Sequence, residues 1–175
     1  MSLRQAVQDD ARGLAELAQK TYADAFGASL RVDDLRAHLE KNLSAENFAR
    51  MLEVDTFFVA EQDGRMIGYV QFGKCNFERA NAATDYELRR LYVLREFQNQ
   101  NLGAQLMDAA LNHPCMKAAP RIFLDVWEQN HGAQRFYRRY GFEVVGERKF
   151  EVESGAETSV DLVMCLTQTL SPTVG

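Results

Sequence analysis

Cysteine and net positive charge are both scarce in this sequence. The 175 residues include three cysteines, Cys75, Cys115 and Cys165, which are odd in number and far apart. Neither a disulfide framework nor a zinc site fits that spacing, so we expect reduced thiols. The formal net charge is -5 and the sequence pI is near 5.3. Because nucleic-acid binding needs a basic face, this balance argues against a nucleic-acid partner.

Long hydrophobic runs and clustered histidines are missing as well. No apolar stretch approaches the length that crosses a bilayer, and the N-terminal run MSLRQAVQDD holds no apolar signal segment. His38, His113 and His131 lack the spacing of metal ligands, and none accompanies a serine or cysteine nucleophile motif. We therefore expect a cytoplasmic protein with no membrane partner and no metal site. The chain length and its hydrophobic content of 46% suit a single domain over residues 1–175.

Apolar periodicity and turn residues predict an alternating α/β order, β-ααα-ββ-β-α-β-α-ββ. Asp9 or Asp10 is expected to cap the first helix, and Ser44 the third. In chain order we predict a strand at 3–7, helices at 10–26, 33–41 and from 45, strands at 56–60, 66–72 and 86–93, a helix from 102, a strand at 122–126, a helix at 131–140, and strands at 142–151 and 159–166 joined across 154–156.

Three short signals fix turns within this order. Asp63-Gly64 lies between two β-rich runs, which is a strong hairpin signal. Pro114 must kink or restart the helix that begins near residue 102. Gly141 closes the helix before it, where a left-handed residue is expected.

Residues 86–141 hold the most informative pattern. A β-rich run, Tyr86–Val93, enters the polar loop Gln98–Ala104, and a helix with apolar residues at core spacing follows. Such a loop of small and amide residues exposes consecutive backbone N–H groups at the positive end of a helix dipole. That arrangement suits a phosphate or pyrophosphate group.

Three segments of this unit resemble the signature of the GCN5-related N-acetyltransferase family. They read Leu91-Tyr92-Val93, then Gln98-x-x-Asn101-x-Gly103-Ala104, then Asn130-x-x-Ala133-x-x-Phe136-Tyr137-x-x-x-Gly141-Phe142. The loop pattern alone would be weak, but three segments in order on the right kinds of element are specific. Asn101 stands where the family usually has a glycine, and asparagine is the non-glycine residue that best tolerates a positive φ.

The resemblance covers nearly the whole chain and implies an α/β fold. Its mixed, strongly twisted sheet of about seven strands would be flanked by helices and splayed at the central strand. Acetyl-CoA would be the cosubstrate, with the Val93 N–H polarising the thioester carbonyl and the side chains of Leu91 and Val93 in the core. The resemblance gives these cofactor-binding residues: Leu91, Tyr92, Val93, Gln98, Asn99, Gln100, Asn101, Leu102, Gly103, Ala104, Asn130, Ala133, Phe136 and Tyr137.

The resemblance also suggests catalytic side chains. Tyr137 would be the general acid for the departing thiolate, the alternative being an aromatic residue that only packs. Glu87, a carboxylate on a central strand, would remove the ammonium proton of the substrate or hold the amine, the alternative being an ion pair with Arg89. Asp85 and Glu128 are weaker candidates of the same kind. Asn130 would cap its helix on either interpretation.

The acceptor is expected to be a small-molecule primary amine. The segments around Trp127–Asn130 and Asp161–Met164 look like those of bacterial spermidine/spermine acetyltransferases of the same family. A polyamine is a polycation, which suits the net negative charge of the chain. Two alternatives remain: an acetyltransferase for a protein or peptide amine, and a CoA-binding sensor without turnover. A homodimer is also left open.

Overall fold

The computed structural model describes residues 1–27, 31–151 and 158–169. Its helices are α1 (Ala11–Phe26), α2 (Val32–Asn42), α3 (Ala45–Val54), α4 (Leu102–Asn112), α5 (Pro114–Lys117) and α6 (His131–Arg139). Its strands are β1 (Ser2–Gln5), β2 (Thr56–Gln62), β3 (Arg65–Lys74), β4 (Tyr86–Val93), β5 (Arg121–Trp127), β6 (Glu143–Glu151) and β7 (Thr158–Thr167). They form one mixed sheet in the order β1-β2-β3-β4-β5-β7-β6, flanked by helices. The predicted fold class is confirmed.

The pairs β1–β2, β2–β3, β5–β7 and β6–β7 are antiparallel, and β4 pairs with β5 in parallel. There the recorded parallel pairs are Tyr86 with Ile122 and Glu87 with Phe123, at the start of both strands. The opening of the sheet farther along β4 stays a prediction. The predicted joint between the last two strands, at residues 154–156, lies outside the described residues.

The short-range turn signals are confirmed. Asp63 and Gly64 have φ of 51° and 76°, the two positive values that a two-residue hairpin turn needs, and they join β2 to β3. Pro114 restarts a helix, so α5 is separate from α4. Gly141 has φ of 88°, a left-handed conformation that residues with a Cβ rarely adopt.

Two predictions for the first residues are wrong in detail. Strand β1 ends at Gln5 rather than Val7, and Asp10 stands at the N-cap of α1 but its carboxylate accepts no hydrogen bond from the N–H groups of that helix. Asp10 instead accepts two hydrogen bonds from Arg4, at 2.7 and 2.9 Å, and a third from the Val7 N–H at 2.8 Å. Charge-assisted pairing with arginine thus replaces the capping bond. Ser44 does cap α3, since its Oγ accepts from the Asn47 N–H at 3.2 Å.

The chain forms two compact units: residues 1–73 with 90–113, and residues 74–89 with 114–175. The core of the first unit contains an aromatic group from α3, β2 and β3. Phe48, Phe57 and Tyr69 are almost fully buried, and their ring centres lie 6.0 to 6.3 Å apart. In the second unit, Ile122 and Leu124 of β5 and Met164 of β7 are buried, and the register pairs Leu124 with Met164.

The cysteines are free thiols in the part of the chain that the structure describes. Cys75 and Cys165 belong to one buried cluster with Phe123 and Val163. Burial raises the pKa of Cys75 to about 11, so this thiol is protonated at neutral pH and a poor nucleophile.

Across residues 1–27, 31–151 and 158–169, no helix is long and apolar enough to span a membrane. Among the residues that the structure describes, no group of three or more His, Cys, Asp or Glu side chains could hold a metal ion.

Replacing Gly68 with alanine is expected to destabilise the protein by about 1–3 kcal/mol. A Cβ at this position of β3 would lie 3.1 Å from Leu106 Cδ1, 3.1 Å from the Tyr92 carbonyl oxygen and 3.3 Å from Val93 Cγ2. Gly146→Ala is the matched control, because nothing lies within 4 Å of a Cβ there. Urea unfolding of both variants checks this, and equal effects would contradict the packing argument.

Candidate active site

The polar loop before α4 has the backbone shape of an anion site. Asn99 and Asn101 both adopt left-handed conformations, with φ of 60° and 63°. Alternation of left-handed and ordinary residues turns successive N–H groups toward one side, and α4 begins immediately afterwards at Leu102. The side chain of Asn101 accepts none of the first-turn N–H groups of α4. Those donors are therefore not capped by Asn101, which fits a pyrophosphate at this helix N-terminus.

Two glutamine side chains hold this loop to the preceding backbone. Gln98 Nε2 donates to the Val93 carbonyl oxygen at 3.1 Å, and Gln100 Nε2 donates to the Glu96 carbonyl oxygen at 2.9 Å. Residues 98–101 are exposed, whereas Leu102 is buried and anchors the helix start. The tolerance of Asn101 for a positive φ is confirmed, while the left-handed Asn99 was not predicted.

Asn101→Ala is expected to lower the free energy of unfolding by about 1–2 kcal/mol, because alanine lacks the local hydrogen bonding that eases a left-handed conformation. Asn101→Gly should be neutral or stabilising, since glycine adopts this φ without strain. Thermal and urea unfolding of both variants provide the check. A glycine variant as unstable as the alanine variant would show that the asparagine side chain, not its φ, matters here.

The triplet Leu91-Tyr92-Val93 ends β4 in the first unit. The prediction that the Leu91 and Val93 side chains are core is wrong, because both are half-buried. The buried residue is instead Leu94, whose N–H donates to the Ile67 carbonyl oxygen at 2.9 Å. The Tyr92 ring lies 5.9 Å from that of Tyr69. The triplet thus lies at the border of the core, and its predicted role rests on its backbone.

In the second unit, Glu87 forms the ion pair that was its alternative interpretation. Arg89 Nη1 donates to Glu87 Oε2 at 2.6 Å, and Arg89 Nη2 donates to the Lys74 carbonyl oxygen at 2.7 Å. The side chain of Glu87 is 12% exposed. Burial raises its pKa, the charge of Arg89 opposes that rise, and the nearby Asp125 adds to it. The pair therefore exists, and the residue still has the raised proton affinity that a general base needs.

The weaker carboxylate candidates have different surroundings. Asp85 is fully buried, and its Oδ2 accepts from Arg121 Nη2 at 2.6 Å and from the Asn81 N–H at 2.7 Å. These contacts fix the loop before β4, so Asp85 has a structural role. Glu128 is exposed, and its backbone N–H pairs with the Val160 carbonyl oxygen at 3.0 Å.

The register places two further acids, which the sequence analysis did not single out as catalytic, on the same sheet face as Glu87. Glu87 pairs with Phe123, and Asp125 is two residues along β5 from Phe123. Asp125 pairs with Val163, and Asp161 is two residues along β7 from Val163. Because side chains alternate along a strand, Glu87, Asp125 and Asp161 share one face, and we name them the acid row. The available signal was one acid within each otherwise largely apolar strand, Asp125 in β5 and Asp161 in β7.

The acid row carries excess negative charge. Arg89 pairs with Glu87, and Arg148 Nη1 donates to Asp125 Oδ2 at 2.9 Å. The carboxylate of Asp161 takes part in no ion pair or side-chain hydrogen bond recorded among the described residues, although its backbone pairs with β5 and β6. Burial and the charge of Asp125 both raise its pKa, with Arg148 opposing them. Asp161 is therefore a partly buried carboxylate held close to another acid without a paired cation.

Helix α6 begins as predicted, with Asn130 as its N-cap. Asn130 Oδ1 accepts from the Ala133 N–H at 3.0 Å. Gln134, which the sequence analysis missed, is 4% exposed and donates to the carbonyl oxygens of Trp127 and Glu128, at 3.3 and 2.7 Å. These bonds tie α6 to the end of β5, and so they fix the helix that carries Tyr137.

Tyr137 lies in an aromatic group, as its packing interpretation expected. Its ring is edge-on to Phe136 at 5.4 Å and to Phe142 at 6.0 Å. The side chain is half-buried rather than enclosed. Packing and proton donation are compatible, because these contacts involve the ring of Tyr137 and orient the residue.

Sequence comparison decides the family. The family model described as Acetyltransferase (GNAT) family matches residues 14–142, which is more than half of the chain. The chain belongs to the GNAT family of acetyltransferases. The resemblance to GCN5-related N-acetyltransferases is thereby confirmed, and so is the enzyme class.

Two relatives and one solved structure agree with the assignment of the chain to the GNAT family. An uncharacterised N-acetyltransferase of Mycobacterium tuberculosis is 31% identical over 157 residues, covering 89% of this chain and 96% of the relative. A spermine/spermidine N(1)-acetyltransferase of Bacillus subtilis is 28% identical over 93 residues, covering 52% of this chain and 61% of that protein. The crystal structure of the PaiA N-acetyltransferase from Thermoplasma acidophilum in complex with coenzyme A has a TM-score of 0.74 and 19% identity, covering 96% of this chain and 100% of that one.

Acetyl-CoA is accordingly the acetyl donor of this GNAT enzyme. The residues present fit it, because the loop at Gln98–Ala104 offers left-handed residues and a helix N-terminus whose donors Asn101 does not cap. The amide-rich loop contains no arginine or lysine, so backbone donors rather than cations would provide the binding.

Proposed function

We propose that this acetyltransferase acetylates a primary amine of a small polyamine such as spermidine. The observation that supports this acceptor most is the acid row, which presents partly buried carboxylates, one of them without a paired cation, on one sheet face of the second unit. The partial similarity to a spermine/spermidine acetyltransferase supports the same acceptor class.

In the proposed reaction the amine attacks the thioester directly. The nitrogen lone pair forms the C–N bond, the C–S bond breaks, and CoA leaves as a thiolate. Glu87, whose pKa is raised by burial, takes the proton from the amine, directly or through a water. The Val93 N–H donates to the oxygen of the tetrahedral intermediate, a type of contact that lowers a barrier by about 3 kcal/mol. Tyr137 gives its phenolic proton to the departing sulfur.

The acid row suits the distal part of a polyamine. The register pairs Trp127 with Asp161, so an indole ring neighbours this carboxylate on the same face. An alkyl ammonium group is attracted both by a carboxylate and by the face of a tryptophan ring. Several weak contacts of this kind would hold the distal ammonium groups while one amine reacts, so remote binding would orient the reacting centre.

The ionised carboxylate of Asp161 lowers the stability of the folded protein. Its folded-state pKa is raised, so the ionised form is disfavoured on folding, and this penalty grows as pH rises through that pKa. A carboxylate whose ionised form destabilises the fold is a candidate for a functional role.

Asp161→Asn is therefore expected to raise stability slightly at neutral pH and to lower kcat/KM for spermidine by about two- to fivefold. kcat/KM for n-butylamine, which has no distal ammonium group, should stay within the error of the measurement. Thiol release from acetyl-CoA gives the rates, and thermal unfolding gives the stability. Asp9→Asn is the matched control, because it removes the same charge at an exposed position.

Equal losses for spermidine and n-butylamine would contradict the ammonium-binding role of Asp161. Turnover of a peptide amine in preference to spermidine would support the protein or peptide acetyltransferase that the sequence left as an alternative. Thiol release with any amine would eliminate the sensor without turnover.

A further inference from the structure

Arg148 of β6 brings a positive charge to the acid row. It pairs with Asp161 of β7 in the register, and residues that pair across antiparallel strands present their side chains on the same face. Its guanidinium reaches farther, because Nη1 donates to Asp125 Oδ2 of β5 at 2.9 Å. The side chain therefore crosses β7 and places a cation beside two of the three carboxylates of the acid row.

An aromatic ring adds to the surroundings of this cation. The guanidinium carbon of Arg148 lies 5.1 Å from the centre of the Phe77 ring. Phe77 is itself held in place, since its ring centre is 5.8 Å from that of Phe123 and it packs against the buried cluster that contains Phe123. A carboxylate beside an aromatic face is a combination that attracts organic cations. The structure thus shows an organic cation bound at the acid row, and this cation belongs to the chain itself.

The ion pair between Arg148 and Asp125 is of a kind that a solute cation can replace. The Arg148 side chain is 46% exposed and that of Asp125 is 27% exposed, so water reaches both partners. Ion pairs of such exposure contribute little to stability, because solvent screens the charges and a long side chain loses conformational freedom in the pair. Arg148 can therefore leave Asp125 at a small cost to the fold.

The charges at this place favour a ligand with more than one positive charge. Burial and the charge of Asp125 raise the pKa of Asp161, and Arg148 opposes that rise. The single charge of Arg148 thus offsets only part of the negative charge of the two acids. A ligand that places one ammonium group at Asp125 and another near Asp161 compensates both, so it can displace a guanidinium that supplies one charge.

We propose that the Arg148 guanidinium occupies the place of a distal ammonium group of the acceptor and competes with it for Asp125 and the Phe77 ring. This inference rests on the proposed function, because it needs a polyamine at the acid row. Arg148 is then a specificity-determining residue that weakens the binding of every acceptor with a distal ammonium group. An acceptor without such a group, for example n-butylamine, does not meet this competition.

Calorimetric titration with spermidine, in the absence of acetyl-CoA, tests the competition. Arg148→Gln is expected to lower the dissociation constant of spermidine by about three- to tenfold, because a like charge is removed from the place that the ammonium group takes. Arg148→Lys keeps a competing cation, so its dissociation constant should stay close to that of the unmodified enzyme. Lys149→Gln is the matched control, since it removes the same charge from the next residue of β6, whose side chain lies on the other face.

A double-mutant cycle shows whether the competition is for Asp125. In an Asp125→Asn background the guanidinium and the ammonium group no longer share a carboxylate, so Arg148→Gln should change the dissociation constant by less than about twofold. Thermal unfolding shows that each variant is folded. In thiol-release assays, kcat/KM for spermidine should rise with the affinity in Arg148→Gln, and kcat/KM for n-butylamine should stay unchanged.

The binding and turnover measurements separate the inference from the proposed function. A spermidine dissociation constant that is unchanged or raised in Arg148→Gln, or lowered equally in Lys149→Gln, overturns the inference, and continued acetylation of spermidine then leaves the proposed function standing. Tighter binding by Arg148→Gln without acetylation by either protein supports the competition at Asp125 and contradicts the proposed acceptor. Spermidine that is neither bound nor acetylated contradicts both.

Discussion

Tyr137→Phe is expected to lower kcat by about tenfold or more while acetyl-CoA binding stays nearly unchanged. The ring contacts with Phe136 and Phe142, at 5.4 and 6.0 Å, do not involve the hydroxyl, so they remain in the variant. The loss would therefore report the missing proton for the departing thiolate. Stopped-flow detection of thiol release gives kcat, and calorimetric titration with acetyl-CoA gives the dissociation constant.

Tyr140→Phe is the matched control for this prediction. Tyr140 follows the same helix, and its ring lies 5.2 Å from that of Phe136. Removal of its hydroxyl should leave turnover within the error of the measurement. Unchanged turnover in Tyr137→Phe, or equal losses in both variants, would return Tyr137 to a packing role in the aromatic group.

Glu87→Gln should lower the rate at neutral pH by about a hundredfold and move the optimum to higher pH. Burial raises the pKa of Glu87, so in the unmodified enzyme the rate should fall as pH drops through that raised value and the carboxylate becomes protonated. Glutamine cannot accept the proton, and a larger fraction of the amine must then be neutral in solution before it reacts. The pH profile of single-turnover acetyl transfer checks both effects.

Glu87→Gln also breaks the ion pair with Arg89, so its stability must be measured in parallel. Arg89 Nη2 keeps its bond to the Lys74 carbonyl oxygen, and the amide oxygen of glutamine can still accept from Nη1. The folded state should therefore be retained. A variant that is folded, binds acetyl-CoA and keeps both its rate and its pH optimum would leave Glu87 as a partner of Arg89 alone.

The sequence predicted the elements near the cofactor loop well, because local chemistry dictates them. Asn101 was expected to accept a positive φ and does so at 63°. Asn130 was expected to cap α6, and its side chain makes that bond. Asp63-Gly64 was expected to form a tight hairpin turn, and both residues have the positive φ that this turn needs. In each case residues adjacent in the chain decide the conformation.

The Glu87–Arg89 pair lies within one strand and was an alternative from the sequence, but the other charged partners could not be predicted. Asp9 or Asp10 was expected to cap α1, but Arg4, six residues before Asp10, binds the Asp10 carboxylate. The acid row depends on the register of β4, β5 and β7, which no single segment encodes. Gln71 and Gln134 looked like ordinary polar residues, although both are buried and orient other groups. Such roles depend on tertiary contacts between distant segments.

The most direct test of the proposed acceptor is a competition in one reaction. Acetyl-CoA is supplied with equal concentrations of spermidine, lysine and a short peptide with a free N-terminus, and the acetylated products are quantified by mass spectrometry. Their initial ratio gives the ratio of kcat/KM values. We predict that acetylspermidine predominates at about 0.05 M salt and that its advantage shrinks at about 0.5 M salt, where exposed charges are screened. A predominance of acetylated peptide, or a spermidine preference indifferent to salt, would contradict the account.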